Sequence, residues 1–299
     1  MVTVYLAINN ILEWILVWKT VWLIGLVVCA VSYFFDASAV DEYYRLEGLT
    51  GNANGTANYG RVAIIAALFI LQFQKDKLWK ILYWSSIVFF SYIIIITASR
   101  GTFGNLIFIL GGYFIFKYFS GWRLIILLLL LLGFGNLILF SAEGFLSDFY
   151  LYQRLTRNDS IAGAIEDESR IQLYTIAWKN FIEHPILGVG LNQFRYYSDG
   201  KISHTDILDV LVQLGIFGGV AYVSIYIKLY NRIRKINKRL GSVVDKKIFQ
   251  LILLCFISEL FFGLSNPNWF TQLEMIVLSL LIVYSAKILQ TKMSLTKRL

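Results

Sequence analysis

Proline, cysteine and charge are all scarce in this chain of 299 residues. Only two prolines occur, Pro185 and Pro267, so long uninterrupted helices are permitted over most of its length. The two cysteines, Cys29 and Cys255, sit inside apolar runs, where a thiol acts as a small hydrophobe and a disulfide framework has no basis. Charged residues make up 15% of the chain against 58% hydrophobic ones, and the mean hydropathy is +0.64. No water-soluble core hides so large an apolar share. The strict apolar-polar alternation of β-barrel strands is lacking as well, which leaves an all-α integral membrane protein.

What is present is a series of apolar stretches of nearly bilayer-crossing length. They fall at about residues 14 to 35, 56 to 73, 78 to 98, 102 to 118, 122 to 141, 206 to 229, 248 to 264 and 270 to 290. About eight transmembrane helices are therefore expected. Residues 1–13 read as an interfacial stub or the remnant of an earlier helix, without the features of a signal peptide. The expected organisation is one membrane domain in three parts: N-terminal helices over 1–141, a long extracytoplasmic loop with surface helices over 142–205, and C-terminal helices over 206–299.

The net charge of +8 does not call for a nucleic-acid partner, because the basic residues concentrate on one side of the threaded chain. Lys19, Lys75, Lys77, Lys80, Lys117, Arg123, the run from Lys228 to Lys247 and the tail from Lys287 to Arg298 belong to that side, which the positive-inside rule makes cytoplasmic. Nine basic residues remain for the other side: Arg45, Arg61, Arg100, Arg154, Arg157, Arg170, Lys179, Arg195 and Lys201. Most are arginines, whose fixed fork of donors suits phosphate, so an anionic ligand is expected at the outer face. Salt bridges to the acids of the same loops are the alternative role.

Four motifs line that face. Arg45 precedes the Gly51-Asn52-Ala53-Asn54-Gly55 stretch, where Asn52 and Asn54 offer amide groups to a sugar or a headgroup, or simply form a polar turn. Ser99-Arg100-Gly101 joins two spans with almost no linker and sets Arg100 beside a helix N-terminus, a corner suited to phosphate or to snorkelling. After Arg170, the residues Tyr174, Ala177, Trp178 and Phe181 recur at helical spacing, and the helix ends at His184-Pro185-Ile186-Leu187-Gly188-Val189-Gly190. Finally, His204 stands at the mouth of a span in which Gly215 and Gly219 form a small-xxx-small pair. A histidine there can accept a proton or simply hydrogen-bond at the helix start.

The order of these motifs, over residues 40–225, resembles the superfamily of O-antigen ligases and O-antigen polymerases of the Wzy type. Two departures stand out: family members usually have ten or more spans, and Thr205-Asp206 stands where asparagine often follows the histidine. The resemblance implies transfer of a glycan from undecaprenyl diphosphate to an acceptor hydroxyl, without metal, nucleotide or other cofactor. It places the protein in the bacterial plasma membrane as a multi-pass enzyme with an extracytoplasmic active site. In this reading Arg100 and Arg170 clamp the diphosphate, with Arg45 as a weaker third, and His204 is the general base. Asn52, Asn54, Arg154 and Arg195 are the further expected substrate contacts.

The expected partners are the undecaprenyl-diphosphate-linked oligosaccharide, an acceptor glycan, membrane lipids and a chain-length regulator. The abundance of Ile, Lys and Asn hints at an AT-rich genome with a capsule or exopolysaccharide cluster, and favours a polymerase acting on a second lipid-linked repeat unit. A ligase acting on a lipid or other surface anchor is the alternative; the rival from outside enzymology is a transporter or flippase of lipid-linked glycans. The acidic pairs and runs at Asp41-Glu42 and Glu166-Asp167-Glu168 read as hydrated loop carboxylates, and no metal site is expected.

Overall fold

The computed structural model describes residues 8–34, 46–118, 168–201, 203, 205–237, 243–263 and 272–288. Within them the chain is all-α. Its helices are α1 (Ile11–Phe34), α2 (Ala53–Leu71), α3 (Lys77–Ile96), α4 (Arg100–Tyr118), α5 (Glu168–Glu183), α6 (Phe194–Tyr197), α7 (Asp206–Asn237), α8 (Val243–Gly263) and α9 (Gln272–Val283), the last running into a π-helical turn at Tyr284–Ile288.

Three stretches are long and apolar enough to cross a membrane: Ile11–Phe34, Lys77–Ile96 and Asp206–Lys235. Four of the other expected spans are helical but differ from a plain apolar rod. Asn54, Asn58 and Arg61 interrupt α2, Arg100 and Asn105 begin α4, Glu259 lies in α8, and α9 has 12 residues before its π-turn. The expected span at 122–141 lies outside the described residues.

The chain divides into two compact units. One comprises Met1–Trp14, Asp159–Gly241 and Phe256–Leu299; the other comprises Ile15–Asn158 and Ser242–Cys255.

In the second of these, α2 is the central helix, with every residue from Gly60 to Ile70 buried. It packs against α3 and α4. Along α1, Trp18 stacks on Phe69 of α2 at 4.7 Å between ring centroids, and Trp22 donates its indole N–H to the Ser86 hydroxyl of α3 at 2.9 Å. A Cβ on Gly25 would overlap the side chain of Ala63, so this glycine is what lets α1 lie close on α2. The opposite side of α1 exposes Leu16, Leu23 and Val27. A helix apolar on all sides has no stable place in water and needs lipid around it.

In the other unit, Asn10 and Glu13 form a capping box at the start of α1. The Asn10 side-chain oxygen accepts from the Glu13 N–H at 2.9 Å, while Glu13 accepts from the Asn9 N–H and the Asn10 carboxamide, both at 2.6 Å. Trp14 then donates to the Leu280 carbonyl at 2.9 Å and packs on Tyr284. Farther along, α5 lies against α7 through Ala177, and Phe194 of α6 joins Val212 in the same core.

Candidate functional site

The link between α3 and α4 is as short as the sequence implies. Thr97 closes α3 by donating its hydroxyl to the Ile94 carbonyl at 2.7 Å, Ala98 turns the chain with φ of 49°, and α4 begins at Arg100. Ser99 caps the new helix: its carbonyl accepts from Phe103 N–H at 2.9 Å and its hydroxyl meets that of Thr102 at 2.9 Å. Arg100 thus occupies the first helical position, where unsatisfied N–H groups carry partial positive charge. An arginine at this position adds a positive charge to the same end of the helix.

The Asn52 motif is a capped turn at the head of α2. Gly51 takes a left-handed φ of 60°, and the Asn52 side chain accepts from the Asn54 N–H at 2.8 Å. Thr50 and Thr56 share a hydroxyl contact at 2.8 Å and both donate to the Glu47 carbonyl. The carboxamide oxygen of Asn52 is therefore engaged in folding the turn, while the residue stays exposed. Deeper in α2, Arg61 is fully buried and donates from Nε to the Asn58 oxygen at 2.9 Å. Counted in sequence among the cations of the outer side, it is buried within α2.

Arg170 and Arg195 belong to the α5–α7 unit, whose organising feature is a break in α7. At Gly215 the backbone adopts φ 63° and ψ −163°, which no helix accommodates. The residues following α5 fill the gap. Val189 N–H donates to the Val212 carbonyl at 2.8 Å, Gly190 N–H to the Gln213 carbonyl at 3.0 Å, and Ile216 N–H to the Pro185 carbonyl at 2.8 Å. The loop thus supplies partners to the Val212 and Gln213 carbonyls and the Ile216 N–H, as an apolar setting demands of backbone groups.

The break is also a fold. Tyr222 donates its hydroxyl to the Asp206 carboxylate at 2.7 Å across sixteen residues of chain. In a straight helix that separation is about 24 Å along the axis. The arm of residues 206–214 must turn back against the arm that follows, so a single span over residues 206–229 is not what forms. Only the second arm, residues 216–235, keeps spanning length, about 30 Å. The Gly215 and Gly219 pair is accordingly not a helix-helix seam: Gly215 receives loop backbone at Ile186 and Leu187.

Thr205 starts α7, its carbonyl accepting from Asp209 N–H at 3.0 Å and its hydroxyl from Leu208 N–H at 3.3 Å. Asp206 is buried beside a cavity of about 290 Å³, whose wall includes Tyr222, Ile257, Leu260 and Phe261. Gly263 sits so close to the Asp206 carboxylate that a Cβ there would overlap it.

Of the residues expected at the site, Arg170 lies in the first turn of α5 and Arg195 is exposed on α6, in one unit. Arg100, Asn52 and Asn54 lie in the other. Arg45, Arg154 and His204 lie outside the described residues, as do Asp41, Glu42, Glu166 and Asp167. Sequence reasoning missed Ser203, Asp209 and Gln213, all buried and hydrogen-bonded to one another in series. Their signal was available: Asp209 and Gln213 are polar residues four apart within an otherwise apolar run, and so share a helix face.

Helices clad in apolar side chains, together with a broken helix whose free backbone groups are met by a loop, define a helical membrane-embedded protein. Within that class the chain is similar to one family: the sequence profile of Wzy_C, described as O-antigen ligase, matches residues 85–223. The matched stretch runs from within α3 through the Arg100 corner to just beyond the Gly215 break. Among curated proteins, none matches the chain.

Proposed function

We propose that this protein is a membrane glycosyltransferase that moves a glycan from a polyprenyl diphosphate carrier to an acceptor hydroxyl on the extracytoplasmic side of a bacterial plasma membrane. The observation that carries the reading is the O-antigen ligase match over residues 85–223, which takes in Arg100, Arg170 and His204 together. Supporting it is the Arg100 corner, where a guanidinium and a helix N-terminus reinforce each other for a phosphate.

In the reaction, the acceptor oxygen bonds to the anomeric carbon as the carbon–oxygen bond to the diphosphate breaks. The electron pair leaves with the diphosphate, whose growing negative charge Arg100 and Arg170 stabilise. His204 takes the hydroxyl proton, and attack from the face opposite the leaving group inverts the anomeric centre. Arg45, Arg154, Arg195, Asn52 and Asn54 serve as further contacts to phosphate and sugar, and the apolar cavity beside Asp206 offers a berth for hydrocarbon.

As a polymerase, the protein uses a second lipid-linked repeat unit as acceptor. The family's description as O-antigen ligase favours, as a second reading, transfer to a lipid or other surface anchor. Purified protein incubated with lipid-linked repeat units alone separates these. A ladder of longer glycans supports the polymerase, and product formed only after an anchor is added supports the ligase. Sugar chains left unchanged under both conditions refute glycan transfer and leave a transporter.

A further inference from the structure

A series of buried hydrogen bonds runs from the loop after α5 to the residue that precedes His204. The backbone N–H of Asn192 donates to Gln213 Oε1. Gln213 Nε2 donates to Asp209 Oδ2 at 2.6 Å, and the Ser203 hydroxyl meets Asp209 Oδ1 at 3.0 Å. Ser203, Asp209 and Gln213 are exposed by 0%, 1% and 6%. The Gln213 carboxamide faces a donor on one side and an acceptor on the other, so its orientation follows from its partners.

Secondary structure alone does not require this carboxylate. The start of α7 is already capped by Thr205, and an aliphatic residue at 209 would fill the same buried space without the cost of desolvating a charge. What the carboxylate adds is a tie between the loop after α5 and the residue before His204. Through Gln213 it holds the loop that enters the Gly215 break, and through Ser203 it holds the backbone just before His204. The loop and the break are in turn fixed by Pro185, Val189 and Gly190.

We infer that Asp209, with Gln213 and Ser203, forms a positioning set for the chemical step, holding the backbone at Ser203, the residue that precedes His204 in sequence. This inference rests on the reading of His204 as the base. None of the three is assigned contact with substrate. Their effect is therefore expected in the chemical step and not in donor binding.

The test uses the full chain in detergent with a lipid-linked oligosaccharide, measuring kcat and KM for Ser203→Ala, Ser203→Thr, Asp209→Asn and Gln213→Leu, with His204→Ala alongside. Ser203→Ala, the mildest change, is expected to lower kcat by ~10- to 100-fold, the scale of a small misplacement of a reacting group. KM should stay within about twofold and the melting temperature near that of the parent, because a positioning loss spares ground-state binding. Ser203→Thr, which keeps the hydroxyl, should recover most of the rate. Parental kcat in Ser203→Ala, with His204→Ala inactive, overturns the positioning set and leaves glycan transfer intact. So does a fall in kcat that follows the folded fraction and is not recovered by threonine. Full activity in His204→Ala removes the underlying reading itself.

Discussion

Gly188 and Gly215 make room for each other. A Cβ on Gly188 would run into the Gln213 carbonyl and the Leu214 nitrogen, and a Cβ on Gly215 would run into the Ile186 carbonyl and the Leu187 nitrogen. Both residues have left-handed φ, 69° and 63°. Two glycines distant in sequence are thus two sides of one backbone contact, and that contact bends α7 and seats the loop from Pro185 to Asn192.

Alanine at either position is expected to destabilise the protein. The left-handed φ alone costs about 1 to 3 kcal/mol for a residue with a Cβ, and overlap with backbone atoms that cannot swing aside adds to it. Thermal unfolding in detergent should show a lowered midpoint for Gly188→Ala and for Gly215→Ala. The double variant should lose less than the sum, because both changes open the same contact. Parental midpoints in both single variants would mean that the loop does not enter the break.

Arg100 is expected to act through geometry as well as charge. Removing one stabilising donor from a developing oxyanion typically lowers turnover by ~10²- to 10³-fold, and Arg100→Ala should fall in that range while still inserting in the membrane. Arg100→Lys keeps the charge but loses the planar fork, so it should recover only part of the rate. Equal activity in the lysine and arginine proteins would argue for a surface cation that only anchors the helix.

Loss of His204 should lower the rate by ~10²- to 10⁴-fold. The pH profile has a definite sign. A base must be neutral to accept a proton, so turnover should fall as the medium is acidified. In His204→Ala that acid limb should disappear; an unchanged limb would assign it to another group.

Tyr222→Phe removes the donor that reaches Asp206 across the bend in α7. Taking one hydrogen bond from a buried acceptor costs about 1 to 3 kcal/mol, so a lowered unfolding midpoint is expected. Tyr226→Phe, whose hydroxyl stands 3.3 Å from that of Tyr222 and one step farther from the carboxylate, should cost less. The reverse ranking would show that the bend is not held by the carboxylate.

Orientation can be read by labelling. With Cys29 and Cys255 replaced by serine, a cysteine at Asn52 or Lys201 should react with a membrane-impermeant thiol reagent in intact cells, and one at Asp76 only after lysis. The opposite pattern would invert the topology and place the candidate site on the cytoplasmic side.

Much of this was written in one dimension. Low charge and a near absence of proline point to apolar helices, because backbone groups in lipid are satisfied most simply within a single segment. The three-residue turn before Arg100 and the end of α5 at His184-Pro185 were equally legible, since they depend on neighbours in sequence. The apolar run over residues 206–229 was legible as helix, but its break at Gly215 was not. Helical periodicity extends smoothly through Gly215, and nothing local announces that a loop from residues 185–192 will take its hydrogen bonds.

Local chemistry is enough to set a helix going, cap it and choose lipid over water, and the run of residues in this chain carries that information. Where a helix must bend, which carboxylate is buried and which glycine admits a neighbour are properties of contacts between distant segments. The bend of α7, the tie through Asp209 and the burial of Arg61 all arise that way. Their energies come from desolvation and close packing, which exist only once those segments have met.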